Sequence, residues 1–460
     1  MRPLTIQDLL TYRKCPRAFW LRRENDSPDA TEREPLCAEA AQTLFSDKDQ
    51  QFIFHKTVRK NHCSAMADIL VQHADGWEIV IDTNSLHLRE AHVWEASFAS
   101  YVFTSAGFPV RHVTALLICP DYIRGAEMNW NALYIRQDIT ERAMAHVSGV
   151  KNCIAGMKDI LAAESPAPHE LFESCLKPRE CAHWQDCCRH LEKPNVFSIV
   201  GMSNRRKFQL YRKGIVSFTD CLKYAKLQRP QKMQVIHEIE QRPPVVNKQA
   251  LEKFLKSIWY PVCFLDFESH QPPVPPFEGM KPFSQSAFLY SVHILDSADA
   301  KPRHAEVFVP AGLDPRRKIA EGLCRDIPAN ACVAVYSSGL EKSVVKTLAQ
   351  TFPDLQAHLM QISANMRDLL GLFRERSYYD RRMQGSCSLK HVLPAIDGAL
   401  SYEDLEDVQN GEEAMHVYGC MHKMKPKERA HMEKRLKAYC EMDTLAMVQI
   451  LRTLEKAAYE

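Results

Sequence analysis

Two acidic residues separated by one position, Asp266 and Glu268, directly follow the short apolar run 262–265. An apolar run of this length that ends in polar residues is typical of a buried central strand. Side chains alternate between the faces of a strand, so the two carboxylates are expected on one face. They repel each other unless a cation lies between them, and hard ions such as Mg²⁺ or Mn²⁺ prefer oxygen ligands. Two acids that merely solvate a strand end are the alternative.

A second pair of reactive residue types lies near the C-terminus. Tyr439 and Asp443 are four positions apart within the segment 435–451, whose apolar residues recur at helical spacing. Residues at i and i+4 share one helix face, so this hydroxyl and this carboxylate are expected side by side. A strand that carries Asp-x-Glu, together with a late helix that carries Tyr-x-x-x-Asp, resembles the DnaQ-like 3′–5′ exonucleases of the RNase H fold.

This resemblance implies a fold and a site for the C-terminal part of the chain. The fold would be a mixed sheet with flanking helices, and the activity a metal-dependent 3′–5′ exonuclease acting on DNA or RNA. Two Mg²⁺ or Mn²⁺ ions would activate a water and stabilise the leaving oxygen. By the resemblance, the metal ligands would be Asp266, Glu268, Glu341 and Asp443, and Tyr439 would orient the attacking water.

The third acid departs from the family pattern. The family usually has an Asp, preceded by Asn, at a strand-to-helix corner, and Glu341 and Ser337 occupy those places here. Asp368 is an alternative third acid. Lys390 lies in a segment that resembles the one packed under the substrate in such nucleases, where it would contact a phosphate; an ordinary surface lysine is the alternative.

The cysteines form a further pattern. One early cysteine stands in Cys-Pro-Arg, and three late ones recur at even spacing: Cys15, Cys175, Cys181 and Cys187. This arrangement resembles the RecB-family nucleases with an iron–sulfur cluster, including those associated with CRISPR systems. The resemblance implies that these four residues bind a [4Fe–4S] cluster; Zn²⁺ is the alternative because it also accepts four thiolates.

The same resemblance implies a RecB-like, restriction-endonuclease-type fold over residues 1–194, with an incomplete nuclease site. Asp68 suits the first acidic position of that family, but Ile81 and Thr83 stand where its Glu and Lys are expected. A single carboxylate without a lysine to activate water is a poor hydrolytic site. An endonuclease that uses Asp68 together with a shifted acid, Asp82, is the remaining alternative for this half.

Residues 195–255 are predicted to form a helical connector between the N-terminal domain and the exonuclease-like domain, residues 256–460. The connector begins with Arg205, Arg206 and Lys207 beside aromatic residues, a composition suited to a nucleic-acid backbone or to a solvated helix face. The whole chain also resembles an uncharacterised bacterial family that joins a RecB-like half to a DnaQ-like half. A non-catalytic nucleic-acid-binding scaffold, in which both sites have decayed, is the alternative function.

Composition restricts the class of protein. The 460 residues carry a net charge of only +2, so nucleic-acid binding must depend on local patches. We expect no membrane association, because no apolar run approaches the length of a membrane span and the N-terminus lacks the apolar segment of a signal peptide. The 16 cysteines then favour a reducing cytoplasm.

The elements that position these residues are predicted to alternate between helix and strand, which gives an α/β fold. Hydrophobic spacing and turn residues in the N-terminal half predict helices over 3–24 and up to about 62, a hairpin of 65–72 with 77–82, a helix near 91–106 and a strand at 113–118.

Overall fold

The computed structural model describes residues 2–22, 36–45, 51–167, 170–397, 400, 402 and 410–460. It is a mixed α/β protein that divides into two compact units. Unit 1 comprises Met1–His190 and Pro273–Phe283, and unit 2 comprises Leu191–Pro272 and Ser284–Glu460. The first boundary lies near the predicted one at residue 194. The helical connector belongs to unit 2, and the short segment after Asp266 and Glu268 belongs to unit 1.

Unit 1 contains a five-stranded sheet of order β1-β2-β3-β4-β5, in which only β3 and β4 are parallel. The two longest helices of the unit, α4 and α6, pack with the sheet in one hydrophobic core. Its elements are α1 Ile6–Lys14, α2 Pro16–Arg22, α3 Ala38–Phe45, β1 Phe52–Lys60, β2 Cys63–His73, β3 Gly76–Asp82, α4 Glu90–Ser105, β4 Val110–Ile118, α5 Trp130–Leu133, β5 Tyr134–Asp138, α6 Thr140–Ala162 and α7 Trp184–Cys188.

The segment 273–283 is held in unit 1 by backbone hydrogen bonds to one residue. The Arg124 amide donates to the Met280 carbonyl (2.9 Å), and the Gly279 amide donates to the Arg124 carbonyl (2.7 Å). The Arg124 guanidinium also donates to the Pro275 carbonyl (3.2 Å). Unit 1 is therefore built from two separate stretches of the chain.

The predicted hairpin, helix and strand between residues 65 and 118 are confirmed as β2–β3, α4 and β4. Two helix predictions were wrong in part. The helix over 3–24 is broken at Cys15, whose extended backbone (φ −163°, ψ 111°) separates α1 from α2, and its last two residues lie outside the described ones. The helix expected up to about residue 62 ends at Phe45 within the described residues, and β1 follows, because residues 52–60 pair with β2.

Unit 2 is organised around the strand β7. The sheet order is β11-β10-β7-β8-β9, with β7 parallel to β10 and antiparallel to β8. The elements of the unit are α8 Asn204–Arg212, α9 Phe218–Tyr224, α10 Arg229–Ile239, β6 Val245–Val246, α11 Lys248–Leu255, β7 Val262–His270, β8 Ser286–Leu295, β9 Arg303–Phe308, α12 Arg316–Asp326, β10 Cys332–Val335, α13 Ser338–Thr351, α14 Gln356–Ala364, β11 Met366–Asp368, α15 Leu370–Arg374, β12 Tyr378–Tyr379, α16 Leu389–Ile396, α17 Gly411–Cys420 and α18 Pro426–Tyr459.

Alternation along β7 decides which helices face the acids. Cys263, Leu265 and Phe267 pack in a core with apolar residues of α12, α13 and α14. Val262 and Phe264 pack in a separate core with residues of α11, α16 and α18. Alternate side chains of a strand lie on the same face. Asp266 and Glu268 therefore point, as Val262 and Phe264 do, to the side of the sheet that α18 covers.

The helix α18 is 34 residues long and buries one stripe along its length. Its buried residues recur at intervals of three and four, and they include Leu436, Tyr439, Cys440, Met447 and Leu451. Across the described residues, neither α18 nor any other helix has a stretch apolar and long enough to cross a membrane.

Candidate metal-ion site

Three carboxylates predicted from the sequence meet between β7 and α18. Ligand oxygens of Asp266, Glu268 and Asp443 all lie within 4.8 Å of one another. The two strand acids share a face because of the pleat, and α18 supplies the third from the helix packed over that face. A cluster of this kind has the oxygen donors and the spacing that Mg²⁺ or Mn²⁺ requires.

Burial makes this cluster electrostatically unfavourable without a cation. Desolvation and the neighbouring carboxylates, Asp443 foremost, raise the pKa of Asp266 well above its ordinary value. Burial and the charge of Asp443 raise the pKa of Glu268 to about 8. Burial raises the pKa of Asp443 to about 6, against the opposing effect of hydrogen bonds from two tyrosines. A divalent cation would relieve these penalties by neutralising the charges together.

The structure separates the two candidates for the third acid. Asp368 accepts hydrogen bonds from the backbone amides of Ser337, Ser338 and Leu370, each at 3.0 Å, so its carboxylate is occupied at the start of α13. Glu341 is 3% exposed, and its buried Oε2 has no hydrogen-bond partner among the described residues. Its charge contributes to the raised pKa of Asp266, which indicates that it lies close to the cluster. Glu341 is not among the three acids whose ligand oxygens lie within 4.8 Å of one another, so its role as a further ligand stays a prediction.

Two tyrosines and a lysine complete the site. The Tyr439 hydroxyl hydrogen-bonds to Asp443, as the helical spacing predicts, and Tyr402 donates a second, short hydrogen bond to Asp443 Oδ1. The Lys390 ammonium lies 5.5 Å from the ring centroid of Tyr439 and 5.9 Å from that of Tyr402. Its charge lowers the pKa of Glu268 and of Asp443. Lys390 thus lies beside the acids, whereas Tyr402 was missed by the sequence analysis.

A buried thiol also belongs to the cluster and was missed. Cys440 Sγ lies 3.5 Å from Asp266 Oδ2, with geometry that allows the thiol to donate to the carboxylate. Cys440 and Asp443 are three residues apart on α18 and therefore share a helix face. That spacing was the sequence signal that could have placed the thiol at the site.

Thr444, which directly follows Asp443 on α18, anchors this helix to β8 through polar contacts. Its hydroxyl lies 2.8 Å from both Ser291 Oγ and His293 Nδ1, and all three side chains are buried. Ser291 pairs directly with Asp266 in the sheet register. Because hydrogen bonds are directional, this network fixes the position of Asp443 relative to the strand acids.

The four cysteines of the predicted cluster come together in unit 1. Cys15 lies between α1 and α2, and the Cys181 amide donates to the Cys175 carbonyl (2.8 Å). Burial raises the pKa of Cys175 and of Cys187, and the nearby Cys15 and Cys181 raise both further. Arg17, from the Cys-Pro-Arg sequence, hydrogen-bonds to the Cys187 thiol.

The spacing of these thiols is wider than a single ion needs. Apart from the acid cluster, no three possible metal-ligating atoms of His, Cys, Asp or Glu in the described residues lie within 4.8 Å of one another. Four thiolates bound to one tetrahedral zinc ion would be separated by about 3.8 Å, given Zn–S bonds of about 2.3 Å. In a [4Fe–4S] cluster each thiolate binds a different iron, which holds the sulfurs further apart.

The acids of the predicted RecB-like site are occupied within the fold. Asp68 and Asp82 are both buried, and Asp68 Oδ2 accepts from the Asp82 amide (2.7 Å). Asp82 accepts from the Asn84 amide (3.1 Å) and hydrogen-bonds to the Tyr134 hydroxyl. Thr83, at the expected lysine position, donates to the Leu116 carbonyl (2.8 Å). Each of these acids therefore has at least one hydrogen-bond partner within the fold.

The three basic residues predicted to contact nucleic acid have different surroundings in the structure. The Lys207 ammonium donates to the Phe197 carbonyl (2.7 Å) within its own unit, and burial lowers its pKa. This ammonium is therefore used to pack α8 and does not extend toward a ligand. Arg205 is exposed and Arg206 is partly buried, so the predicted basic face is reduced to these two arginines.

Comparison with known proteins finds a match in the C-terminal half of the chain. A family model described as a domain of unknown function, DUF2779, matches residues 263–388. The matched segment contains the β7 acids and Glu341 but ends before Lys390 and α18. No curated protein and no solved structure matches the chain.

Proposed function

We propose that the chain is a metal-dependent 3′–5′ exonuclease whose site is the carboxylate cluster of unit 2. The observation that carries the proposal is the meeting of the buried Glu268 with the partly buried Asp266 and Asp443 within 4.8 Å of one another. A Glu341 oxygen that has no hydrogen-bond partner among the described residues lies nearby. Carboxylates held this close together and largely shielded from water are unfavourable in a protein without a cation, and such groups cluster at functional sites.

The finer fold assignments belong to the same proposal. The order β9-β8-β7-β10-β11, with three antiparallel strands followed by two parallel ones, supports an RNase H-like assignment for unit 2. For unit 1 we propose the RecB-like fold, held by a [4Fe–4S] cluster on Cys15, Cys175, Cys181 and Cys187. The wide spacing of the thiols supports this choice over zinc.

In this proposal the residues divide into ligands and positioning groups. Asp266, Glu268, Glu341 and Asp443 would hold two Mg²⁺ or Mn²⁺ ions, which supply charge stabilisation and a more acidic water. The Tyr439 hydroxyl would orient the attacking water, and Lys390 would offset the charge of the phosphate. Attack at phosphorus breaks the bond to the 3′ oxygen, which takes up a proton and becomes the new strand end. The released product is a nucleoside 5′-monophosphate.

The decisive experiment is digestion of 5′-labelled single-stranded DNA and RNA with Mn²⁺, with Mg²⁺ and with EDTA. Wild type should shorten the strand from its 3′ end only when metal is present. Asp266→Ala should lose more than the 10–100-fold that follows loss of an outer-shell contact, since a direct ligand is removed. Asp68→Ala, the matched control in unit 1, should trim at nearly the wild-type rate.

Two results would reject the assignment. If neither metal supports hydrolysis, the chain is better explained as a non-catalytic nucleic-acid-binding scaffold. If Asp68→Ala abolishes activity while Asp266→Ala retains it, the nuclease site lies in unit 1.

A further inference from the structure

The turn between β1 and β2 forms one wall of an open cleft in unit 1. The cleft has a volume of about 660 Å³ and is lined by Pro3, Arg59, Lys60, Asn61, His62, Cys63, Tyr101 and Lys158. Its cationic residues are Arg59 and Lys60 at the end of β1 and Lys158 of α6, and no acidic residue is among those that line it. The protein as a whole is nearly neutral, so this concentration of positive charge is local.

These cations have no carboxylate partners among the described residues. The side chains of Arg59, Lys60 and Lys158 are exposed and form no ion pair there, whereas elsewhere Arg303 pairs with Asp296 (3.0 Å). Unpaired cations around a concave surface create a positive potential that attracts an anionic ligand. No acidic residue lines the cleft, so its walls offer an incoming anion no like charge.

The backbone of the turn is held in place. Asn61 and His62 both have positive φ, 52° and 63°, as a two-residue hairpin turn between antiparallel strands requires. The His62 carbonyl accepts from the Leu4 amide (2.7 Å), and the Ser64 amide donates to the Leu4 carbonyl (2.8 Å). The cations at the end of β1 are therefore presented from a fixed backbone.

We propose that this cleft binds the sugar–phosphate backbone of a nucleic-acid strand. The choice of nucleic acid as the ligand rests on the proposed exonuclease function. Binding of a strand in this cleft does not itself require hydrolysis. The cleft is far larger than one phosphate needs, and its three cations come from two separate elements, β1 and α6, so it suits successive phosphates of a strand. The cleft is distinct from the predicted RecB-like site, because neither Asp68 nor Asp82 lines it.

The test is binding by the full chain in EDTA, where metal-dependent hydrolysis cannot occur. The probe is a fluorescent single-stranded oligonucleotide, measured by anisotropy between about 50 and about 200 mM salt. The cleft variant combines Arg59→Gln, Lys60→Gln and Lys158→Gln. The matched control removes the same charge from three exposed lysines of unit 2 that form no ion pair within the described part of the chain, Lys248→Gln, Lys253→Gln and Lys346→Gln.

Loss of three phosphate contacts should change the salt dependence by a defined amount. The logarithm of affinity falls with the logarithm of salt by about 0.7 per contact for single strands, so the slope should decrease by about 2. Over a fourfold rise in salt, wild type should therefore lose about 20-fold more affinity than the cleft variant. The control should keep the wild-type slope, and a charge-conserving variant, Arg59→Lys with Lys60→Arg and Lys158→Arg, should bind as wild type does.

Three results would overturn the proposal. The first is that the cleft variant and the control have equal affinity and equal slope. The second is that the charge-conserving variant loses binding, because the effect would then be structural. The third is that inorganic triphosphate displaces the oligonucleotide at concentrations below the dissociation constant of the oligonucleotide, which would assign the cleft to a small anion. All three are independent of trimming, so a failure here leaves the exonuclease proposal to its own assay.

Discussion

The buried carboxylates predict that the metal-free protein loses stability as the pH rises, and the variant Glu268→Gln isolates the contribution of one of them. Burial and the charge of Asp443 raise the pKa of Glu268 from 4.5 to about 8. A carboxyl group with a raised pKa keeps, in the folded state, a proton that the unfolded chain releases. Its stabilising contribution is complete below the unfolded value and is lost as the pH rises through the folded value.

The size of the effect follows from the interval between these two pKa values. Within it, each pH unit lowers the free energy of unfolding of wild type by about 1.4 kcal/mol, because one proton is released on unfolding. The amide introduced by Glu268→Gln cannot ionise and shows no such loss. Between about pH 5.5 and about pH 7.5, wild type should therefore lose about 3 kcal/mol relative to this variant.

Equilibrium urea unfolding in EDTA at several pH values measures this difference. Glu375→Gln is the matched control, since Glu375 is exposed at the C-terminal end of α15 and lies outside the acid cluster. Added Mn²⁺ should stabilise wild type at the higher pH, because an ion that binds only the folded chain shifts the equilibrium toward it. A gap between wild type and Glu268→Gln that stays constant over the whole pH range would refute the reasoning.

Two further predictions concern the tyrosine beside the acids and the cysteines. Tyr402→Phe removes a hydrogen bond that stabilises the charged form of Asp443, so half-maximal Mn²⁺ binding by calorimetry should require a higher pH; an unchanged pH profile would contradict this role. Anaerobically purified wild type should be brown and contain iron and acid-labile sulfide, whereas Cys181→Ser should lose the colour and Cys188→Ser should keep it; colourless wild type with stoichiometric zinc would reject the cluster.

The acid site was largely predictable because its elements carry strong local signals. The apolar run before Asp266 has the pattern of a buried strand, and the segment around Asp443 has the period of a helix. Each signal depends only on neighbouring residues, and side-chain periodicity then places the acids on defined faces. The meeting of β7 and α18 came from the resemblance to a known family, since local patterns cannot determine which elements pack together.

The parts that were missed depend on contacts between distant residues. Tyr402 hydrogen-bonds to Asp443, 41 positions away in the sequence, and local sequence patterns do not specify a contact over such a separation. Asp368 resembled a ligand because its type is right, but its carboxylate is occupied by amides at the start of α13. The strand β1 looked helical because its hydrogen bonds come from β2, a partner that residues 52–60 alone do not specify.

The split composition of unit 1 has a consequence for its synthesis. Residues 273–283 contact Arg124 but are translated after the start of unit 2, including all of β7. On the ribosome, unit 1 cannot gain its full set of contacts until residue 283 has emerged, so the order of folding is not simply N-terminal first. A fragment that ends at residue 190 would lack this segment and leave the backbone groups of Arg124 to water. Unit 1 therefore cannot be isolated intact as one continuous stretch of the chain. Residues 273–283 would have to be fused to the fragment or co-expressed with it.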